Sequence, residues 1–293
     1  MSDYPTSPHR RPERDFSPDP SRASGIHACD LLSHRAPGSQ TRDLPDALVI
    51  VAKYPEPGAV KTRLGATIGH ERAANLYRAF LADLAARFGA ANGYRLHWAV
   101  APGAHSIGAL QTVFGPGARL FAQRGDDFAV RLYSIVEDMR DAGYRRVAIL
   151  SSDAPQLPTW LVTDAFAALA TGDVALAPAE DGGYSLIALH LERATGAAPP
   201  DLFRGIHMST PTVLAETLQR AASLGLSTTL LPTSFDVDEA SDLARLWAAL
   251  ADDATLAPQT YAALAELLPA MTAQAGGQTL AHGDCGDWRL ASG

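Results

Sequence analysis

The 293-residue sequence predicts an α/β protein: a three-layer α/β/α sandwich around a mostly parallel sheet. Two observations carry this. Short apolar runs rich in β-branched residues alternate along the chain with longer segments whose apolar residues recur at helical spacing. The first run, Leu48-Val49-Ile50-Val51-Ala52, is continuous rather than alternating, the pattern of a strand buried on both faces of a parallel sheet. No internal repeat accounts for the alternation.

Taken in order, residues 1–46 are rich in Pro, Ser, Arg and Asp and carry almost no apolar periodicity, so a disordered tail is expected there. Residues 47–272 are expected to form the domain. After the first strand and a turn containing Pro55, Pro57 and Gly58, a helix is expected over residues 70–90, with Leu76, Tyr77, Phe80 and Leu84 on one stripe. Residues 94–101 alternate Leu96, Trp98 and Val100, the pattern of a second strand, with His97 on the other face. Residues 120–127 read as a short strand and loop. The next helix shows Phe128, Leu132, Ile135, Val136 and Met139, and residues 146–150 form an apolar strand. A helix over 158–170 and strands over 174–179 and 185–190 follow, then an irregular connection over 192–200. Thr210-Pro211 reads as an N-cap and first helical residue of a helix to about 224. A strand over 228–231 and helices over 241–250 and 258–271 complete the domain. Residues 273–293 read as a loose, glycine-rich tail.

Composition narrows the function. With 47% hydrophobic residues the chain can bury a full core. A net charge of −8 excludes a protein that coats nucleic acid, but not one that binds a single nucleotide with local cations. The cysteines, Cys29 and Cys285, fall in the two tails and make no disulfide framework. His27, Cys29 and Asp30 are too sparse a set for a metal, as are His282, Asp284, Cys285 and Asp287. No apolar run approaches the roughly 18 residues that span a bilayer. The N-terminus lacks a signal peptide's apolar centre, so a cytoplasmic location is expected.

The chemistry is concentrated where strands end. Lys53, Lys61 and Arg63 follow the first strand in a Gly-containing loop, and suit a phosphate-bearing ligand. Asp153, in Ser151-Ser152-Asp153-Ala154-Pro155, follows a buried strand directly. Beside phosphates its carboxylate implies an intervening Mg²⁺ or Mn²⁺, the alternative being a helix cap. Asp236 and Asp238 are two apart, so in extended chain both face one ion. Asp181-Gly182-Gly183-Tyr184 lies between strands. Its glycines permit close approach of a ligand, and Asp181 can orient or deprotonate an acceptor hydroxyl, the alternative being a tight turn.

Together AKYPEPGAVKTRL, SSDAP, DGGYSLIAL and FDVDEA, in this order over residues 48–250, resemble the DUF2064 family, also known as radical-SAM- and selenodomain-associated transferases. The resemblance covers most of the domain, with Ser151 standing for a family Gly, Ala154 for Ser, Ala188 for Gly and Glu239 for Thr. It implies the GT-A fold of nucleotide-diphospho-sugar transferases. It further implies that Lys53, Gly58, Lys61 and Arg63 hold nucleotide phosphates and that Asp153 with Asp236 or Asp238 holds the metal. Gln123 and Gly125 would lie against the base. Asp181, Gly182, Gly183, Tyr184 and His207 would meet the acceptor, with Asp181 and Arg63 acting in catalysis. The expected activity is metal-dependent transfer from a nucleotide sugar to a small-molecule acceptor. The alternatives are nucleotidyl transfer from an NTP to a phosphorylated small molecule, and nucleotide binding without catalysis. Base, sugar, acceptor and oligomeric state stay open, but each reading requires Arg63 and Asp153 on one cleft. Removal of the residues before Pro45 is expected to leave the thermal midpoint nearly unchanged; a large fall in a melting experiment would refute the tail assignment.

Overall fold

The computed structural model describes residues 46–91, 93–101, 107–115, 117–191 and 198–279. Residues 1–45 and 280–293 of the expected tails therefore lie outside it, as do residues 192–197 of the expected irregular connection, whereas Asp46 belongs to a strand and residues 273–279 to a helix rather than to loose tails. In chain order the elements are β1 (Asp46–Ala52), α1 (Thr62–Ile68), α2 (His70–Gly89), β2 (Tyr94–Val100), α3 (Ile107–Phe114), β3 (Leu120–Ala122), α4 (Phe128–Asp141) and β4 (Arg146–Ser151). Then come α5 (Thr159–Ala168), β5 (Val174–Pro178), β6 (Tyr184–His190), α6 (Val213–Ser223), β7 (Thr228–Leu230), α7 (Ala240–Ala251) and α8 (Pro258–Thr279).

The strands form one 7-stranded sheet in the order β3-β2-β1-β4-β6-β5-β7. All neighbours are parallel except β6, which is antiparallel to both β4 and β5. Because side chains alternate across a strand, the continuous run of β1 feeds two cores. Leu48 and Ile50 pack with α2, α5, α7 and α8 on one face, through residues such as Phe80, Val162, Leu243 and Leu264. Ala47 and Val49 pack with α4 and α6 on the other, through Ile135, Val136 and Ala221. All four β1 residues are fully buried. At the amino ends of β1 and β4, Arg146 grips Asp46 through two hydrogen bonds of 2.8 and 2.6 Å, the two-pronged geometry that a guanidinium and a carboxylate share. No helix among the described residues is long and apolar enough to cross a membrane.

The expected alternation of strands and helices is present, with three differences. Helices α1 and α3 are 7 and 8 residues long, too short for a periodic stripe to show; α1 buries Leu64, Gly65 and Ile68, and α3 buries Leu110. Helix α6 starts at Val213 with Thr212 before it, not at Thr210-Pro211. The reason is a contact from outside the helix: Leu214 N–H donates to the Gly182 carbonyl, which holds Pro211 against the β5–β6 turn. Helix α8 runs on past residue 271 to Thr279, with Pro269 inside it.

His97 does face away from Leu96 and Trp98, into the second core. It is 3% exposed, its Nε2 hydrogen-bonds with the Tyr144 hydroxyl at 2.8 Å, and its ring meets Phe121 edge-on. Burial lowers its pKa to about 3, with Arg119 and Arg95 adding to the effect. The folded chain thus refuses a proton that the unfolded chain accepts near pH 6.5. Stability conferred by the neutral ring is complete above that pH and is lost as pH falls towards 3, by ~1.4 kcal/mol per unit at most. Urea midpoints measured from pH 7 to 4 are expected to fall less steeply in His97→Phe than in the parent; identical slopes would remove His97 as the cause.

Candidate active site

Strand β1 lies where the sheet order changes direction: the chain goes to β2 on one side and to β4 on the other. At such a switch point the loops leaving adjacent parallel strands diverge and open a crevice at their carboxyl ends. Val51 is paired with Ser151, so the Lys53 loop and the Asp153 loop leave the sheet side by side.

The turn after β1 is closed by Ala59 and Val60 N–H groups donating to the Glu56 carbonyl. Gly58 takes a positive φ of 79° in it and does not line the cleft. The turn delivers Lys61, which adopts a left-handed conformation (φ 46°, ψ 47°) just before α1. Its side chain is 4% exposed, and its ammonium lies 2.5 Å from Asp153 Oδ1 and 3.1 Å from Asp238 Oδ1. Burial disfavours the charged amine, but the two carboxylates outweigh it and hold its pKa above the ordinary lysine value. Arg63, 66% exposed, reaches Asp238 at 2.8 Å and Glu239 at 3.0 Å.

Residues 235–238 are not part of a strand, yet the alternation expected of them holds. Val237 is buried in the core, while Asp236 and Asp238 on either side line the cleft. Two bonds pin this segment to the Asp153 loop: Val237 N–H to the Asp153 carbonyl at 3.0 Å, and Gln156 Nε2 to the Phe235 carbonyl at 2.7 Å. Asp242 is consumed in capping α7, accepting from the Asp238 and Glu239 N–H groups. Asp236 has no such partner: its Oδ1 is buried without a hydrogen bond. Burial, then the Asp153 charge, raise its pKa to about 7 despite Lys61, with Asp181 and Asp238 adding to the rise.

The cleft has two lobes. One, of about 530 Å³, is lined by Lys53, Lys61, Arg63, Gln123 and Arg131. The other, of about 430 Å³, is lined by Asp153, Asp181, Asp236 and Asp238 over an apolar floor. Arg63 and Asp153 line both, as the sequence reading requires. Gln123 is buried; its Nε2 donates to the Ala99 carbonyl at 2.8 Å, and that fixes the amide's orientation because the carbonyl can only accept. Its Oε1 is left buried without a partner.

In the second lobe Asp181 accepts from Gly183 N–H at 2.8 Å, which orients its carboxylate. Gly182 serves packing rather than ligand approach. It has φ 90°, and a Cβ on it would stand 2.1 Å from the Pro211 carbonyl oxygen. Tyr184 lines the lobe, with burial raising its phenol to about 12. Two expected residues point elsewhere. His207 is 79% exposed and engages Glu216 through its Nδ1 at 3.1 Å, so the lobe meets its neighbours Met208, Ser209 and Thr210 instead. Gly125 turns the chain into α4, where Asp127 caps the helix by accepting from Val130 N–H.

Two contributors escaped the sequence reading. Arg131 adds a further cation to the first lobe, with its guanidinium 5.7 Å from the Phe128 ring; one turn into a helix, it carried no motif. Tyr77 was read as a core residue, and its ring is buried as that implies, but its hydroxyl accepts from Lys53 N–H (3.2 Å) and shares a hydrogen bond with Ser152 Oγ (2.8 Å). It therefore braces the ends of β1 and β4 at the cleft. Tyr77→Phe is expected to cost about 1–3 kcal/mol in urea unfolding, because it strands two partially buried groups, and to speed hydrogen exchange at the Lys53 amide. Unchanged exchange there would refute the brace.

Comparison with known proteins agrees with this architecture. The family model described as an uncharacterized protein conserved in bacteria, DUF2064, matches residues 84–210. The crystal structure of a proposed nucleotide-diphospho-sugar transferase from Desulfovibrio desulfuricans G20 is 33% identical, with 78% of this chain and 97% of that one covered at a TM-score of 0.72. A 4-diphosphocytidyl-2C-methyl-D-erythritol synthase is 16% identical over 72% of this chain and 100% of its own, at a TM-score of 0.44. CMP:2-keto-3-deoxy-manno-octonic acid synthetase, complexed with CTP, is 14% identical over 71% and 99%, at 0.39. These last two likenesses are too weak to carry an argument. No curated protein matches the sequence. On the family match and on 33% identity across nearly the whole Desulfovibrio protein, the chain belongs to the DUF2064 family, within the GT-A, nucleotide-diphospho-sugar-transferase-like superfamily.

Proposed function

We propose that this protein is a transferase that moves a sugar from a nucleotide-sugar donor to a small-molecule acceptor, assisted by Mg²⁺ or Mn²⁺. The observation that carries the reading is the meeting of Lys61 and Arg63 with Asp153, Asp236 and Asp238 in one cleft at the sheet's switch point. The similarity to a proposed nucleotide-diphospho-sugar transferase supports it.

Among the described residues no three His, Cys, Asp or Glu side chains stand close enough to cage a metal. A cage is not what Mg²⁺ needs beside a nucleotide: one or two carboxylates complete a shell otherwise made of phosphate oxygens and water. The donors present suit that arrangement. Both oxygens of Asp238 are engaged, Oδ1 by Lys61 and Oδ2 by Arg63, whereas Asp153 meets Lys61 through Oδ1 and is 42% exposed, and Asp236 Oδ1 has no partner. Asp153 and Asp236 are thus the residues that would hold the ion. When bound, the ion would offset charge on the departing diphosphate.

The chain's own groups supply the rest. Lys53, Lys61, Arg63 and Arg131 offer the first lobe's cations to phosphate oxygens, and Arg63 faces the leaving group from the boundary between lobes. Gln123 Oε1 offers an acceptor to a base N–H. Asp181, oriented by Gly183, stands in the second lobe as the group that positions the acceptor and takes its proton.

Purified protein incubated with Mg²⁺ or Mn²⁺ and panels of nucleotide sugars and NTPs is expected to release nucleoside diphosphate from a sugar donor. Asp153→Asn should lower that release by about 100-fold or more while the thermal midpoint stays within a few degrees. Pyrophosphate release from an NTP, or saturable binding with neither product, would overturn the assignment.

A further inference from the structure

The second lobe is built unlike a sugar or sugar-phosphate site. Its floor is Val51 of β1, Ile149 of β4 and Ile187 of β6, its walls are Leu132 of α4 and Val213 of α6, and Met208 stands at its rim. The Ser185 hydroxyl beside this floor is turned inward. Ser185 Oγ donates to the Ala177 carbonyl at 3.4 Å and accepts from Ser234 Oγ at 2.7 Å. A polyol laid on this apolar floor would lose hydrogen bonds to water there, which is costly, although Ser151, Tyr184, Ser209 and Thr210 also line the lobe. The charged groups are gathered around Asp236, and apart from Arg63 they are carboxylates: Asp153, Asp181, Asp236 and Asp238. Lys61 and Arg63 offset Asp153 and Asp238, but an anionic acceptor would still meet the Asp181 carboxylate, which is held by a backbone N–H. The volume, about 430 Å³, is that of a small-molecule site.

We propose that the acceptor is an apolar alcohol or amine without negative charge, its carbon body on the Val51–Ile149–Ile187 floor and its hydroxyl or amino group beside the carboxylates around Asp236. This rests on the transferase reading above and specifies its second substrate. In the transfer, a lone pair of the acceptor oxygen or nitrogen forms a bond to the anomeric carbon of the sugar. The bond from that carbon to the diphosphate oxygen breaks, its electron pair leaves with the nucleoside diphosphate, and the acceptor's proton passes to the Asp181 carboxylate.

The test uses the full chain and calorimetric titration with 2-phenylethanol, 3-phenylpropan-1-ol, 4-phenylbutan-1-ol, 4-phenylbutylamine and 4-phenylbutanoate. Affinity is expected to rise up to about fourfold per added methylene. The C4 alcohol and amine should bind at least about tenfold more tightly than the carboxylate of the same length. Val213→Ser and Met208→Gln should each weaken the C4 alcohol several-fold. Equal binding of the carboxylate, indifference to chain length, or insensitivity to both substitutions would overturn the proposal. UDP, GDP and CDP with Mg²⁺ are titrated into the same preparation. Nucleotide binding without alcohol binding would sink the acceptor assignment and leave the transferase reading standing. Alcohol binding with no nucleotide binding would remove the transferase reading, and the acceptor role with it.

Discussion

The buried ammonium of Lys61 is the constraint on which the site depends. It lies between Asp153 and Asp238, groups that are 92 and 177 residues distant along the chain, and joins the loop after β1 to the loop after β4 and the entry to α7. A lone charge at 4% exposure would be expensive, and so would either carboxylate crowded against the other without it. Each is tolerable because the others are there. Tyr77 and Phe80 set the dry side of this arrangement, with both rings 5.9 Å from the ammonium. The arrangement is also exchangeable: what Asp153 and Asp238 give to Lys61, phosphate oxygens can give as well.

Backbone strain follows the same geography. Among the described residues the non-glycine positions with positive φ are Lys61 (46°) and Ser209 (62°), and both line the cleft. Such conformations persist where surrounding contacts over-determine them. For Lys61 those contacts are the two carboxylates and the start of α1 through Gly65 N–H to the Lys61 carbonyl. For Ser209 they are the neighbouring bond from Thr210 Oγ1 to the His207 carbonyl and the Gly182–Pro211 contact. Strain here places side chains at the junction of the two lobes.

Much of this was legible in the sequence because it rests on local signals. The continuous run of β1, the helical stripe of α2 and the carboxylates at strand ends each follow from period and position. Asp236 and Asp238 were placed on one side for a sound reason even though the segment is extended chain rather than strand. What stayed hidden depends on partners far away in the chain. Tyr77 looks like any aromatic on a buried stripe until the ends of β1 and β4 come under its hydroxyl. Arg131 looks like a solvated helix charge until α4 docks beside the first lobe. His207 is next to the right loop, but adjacency along the chain does not fix direction, and Glu216 turns it outward. Thr210-Pro211 carried good helix-start chemistry that a tertiary contact to Gly182 overrode.

The reversed strand has its own consequence. Because β6 runs against β4 and β5, it presents its first residues, not its last, to the cleft, so the 179–183 turn arrives on the same rim as the loops after β1 and β4. The cleft-lining loops are thereby gathered on one rim. The opposite rim, where Arg146 clasps Asp46, lies away from the two cleft lobes. Evolution can then retune what the enzyme accepts by rewriting one set of loops while the foundation beneath them is held constant.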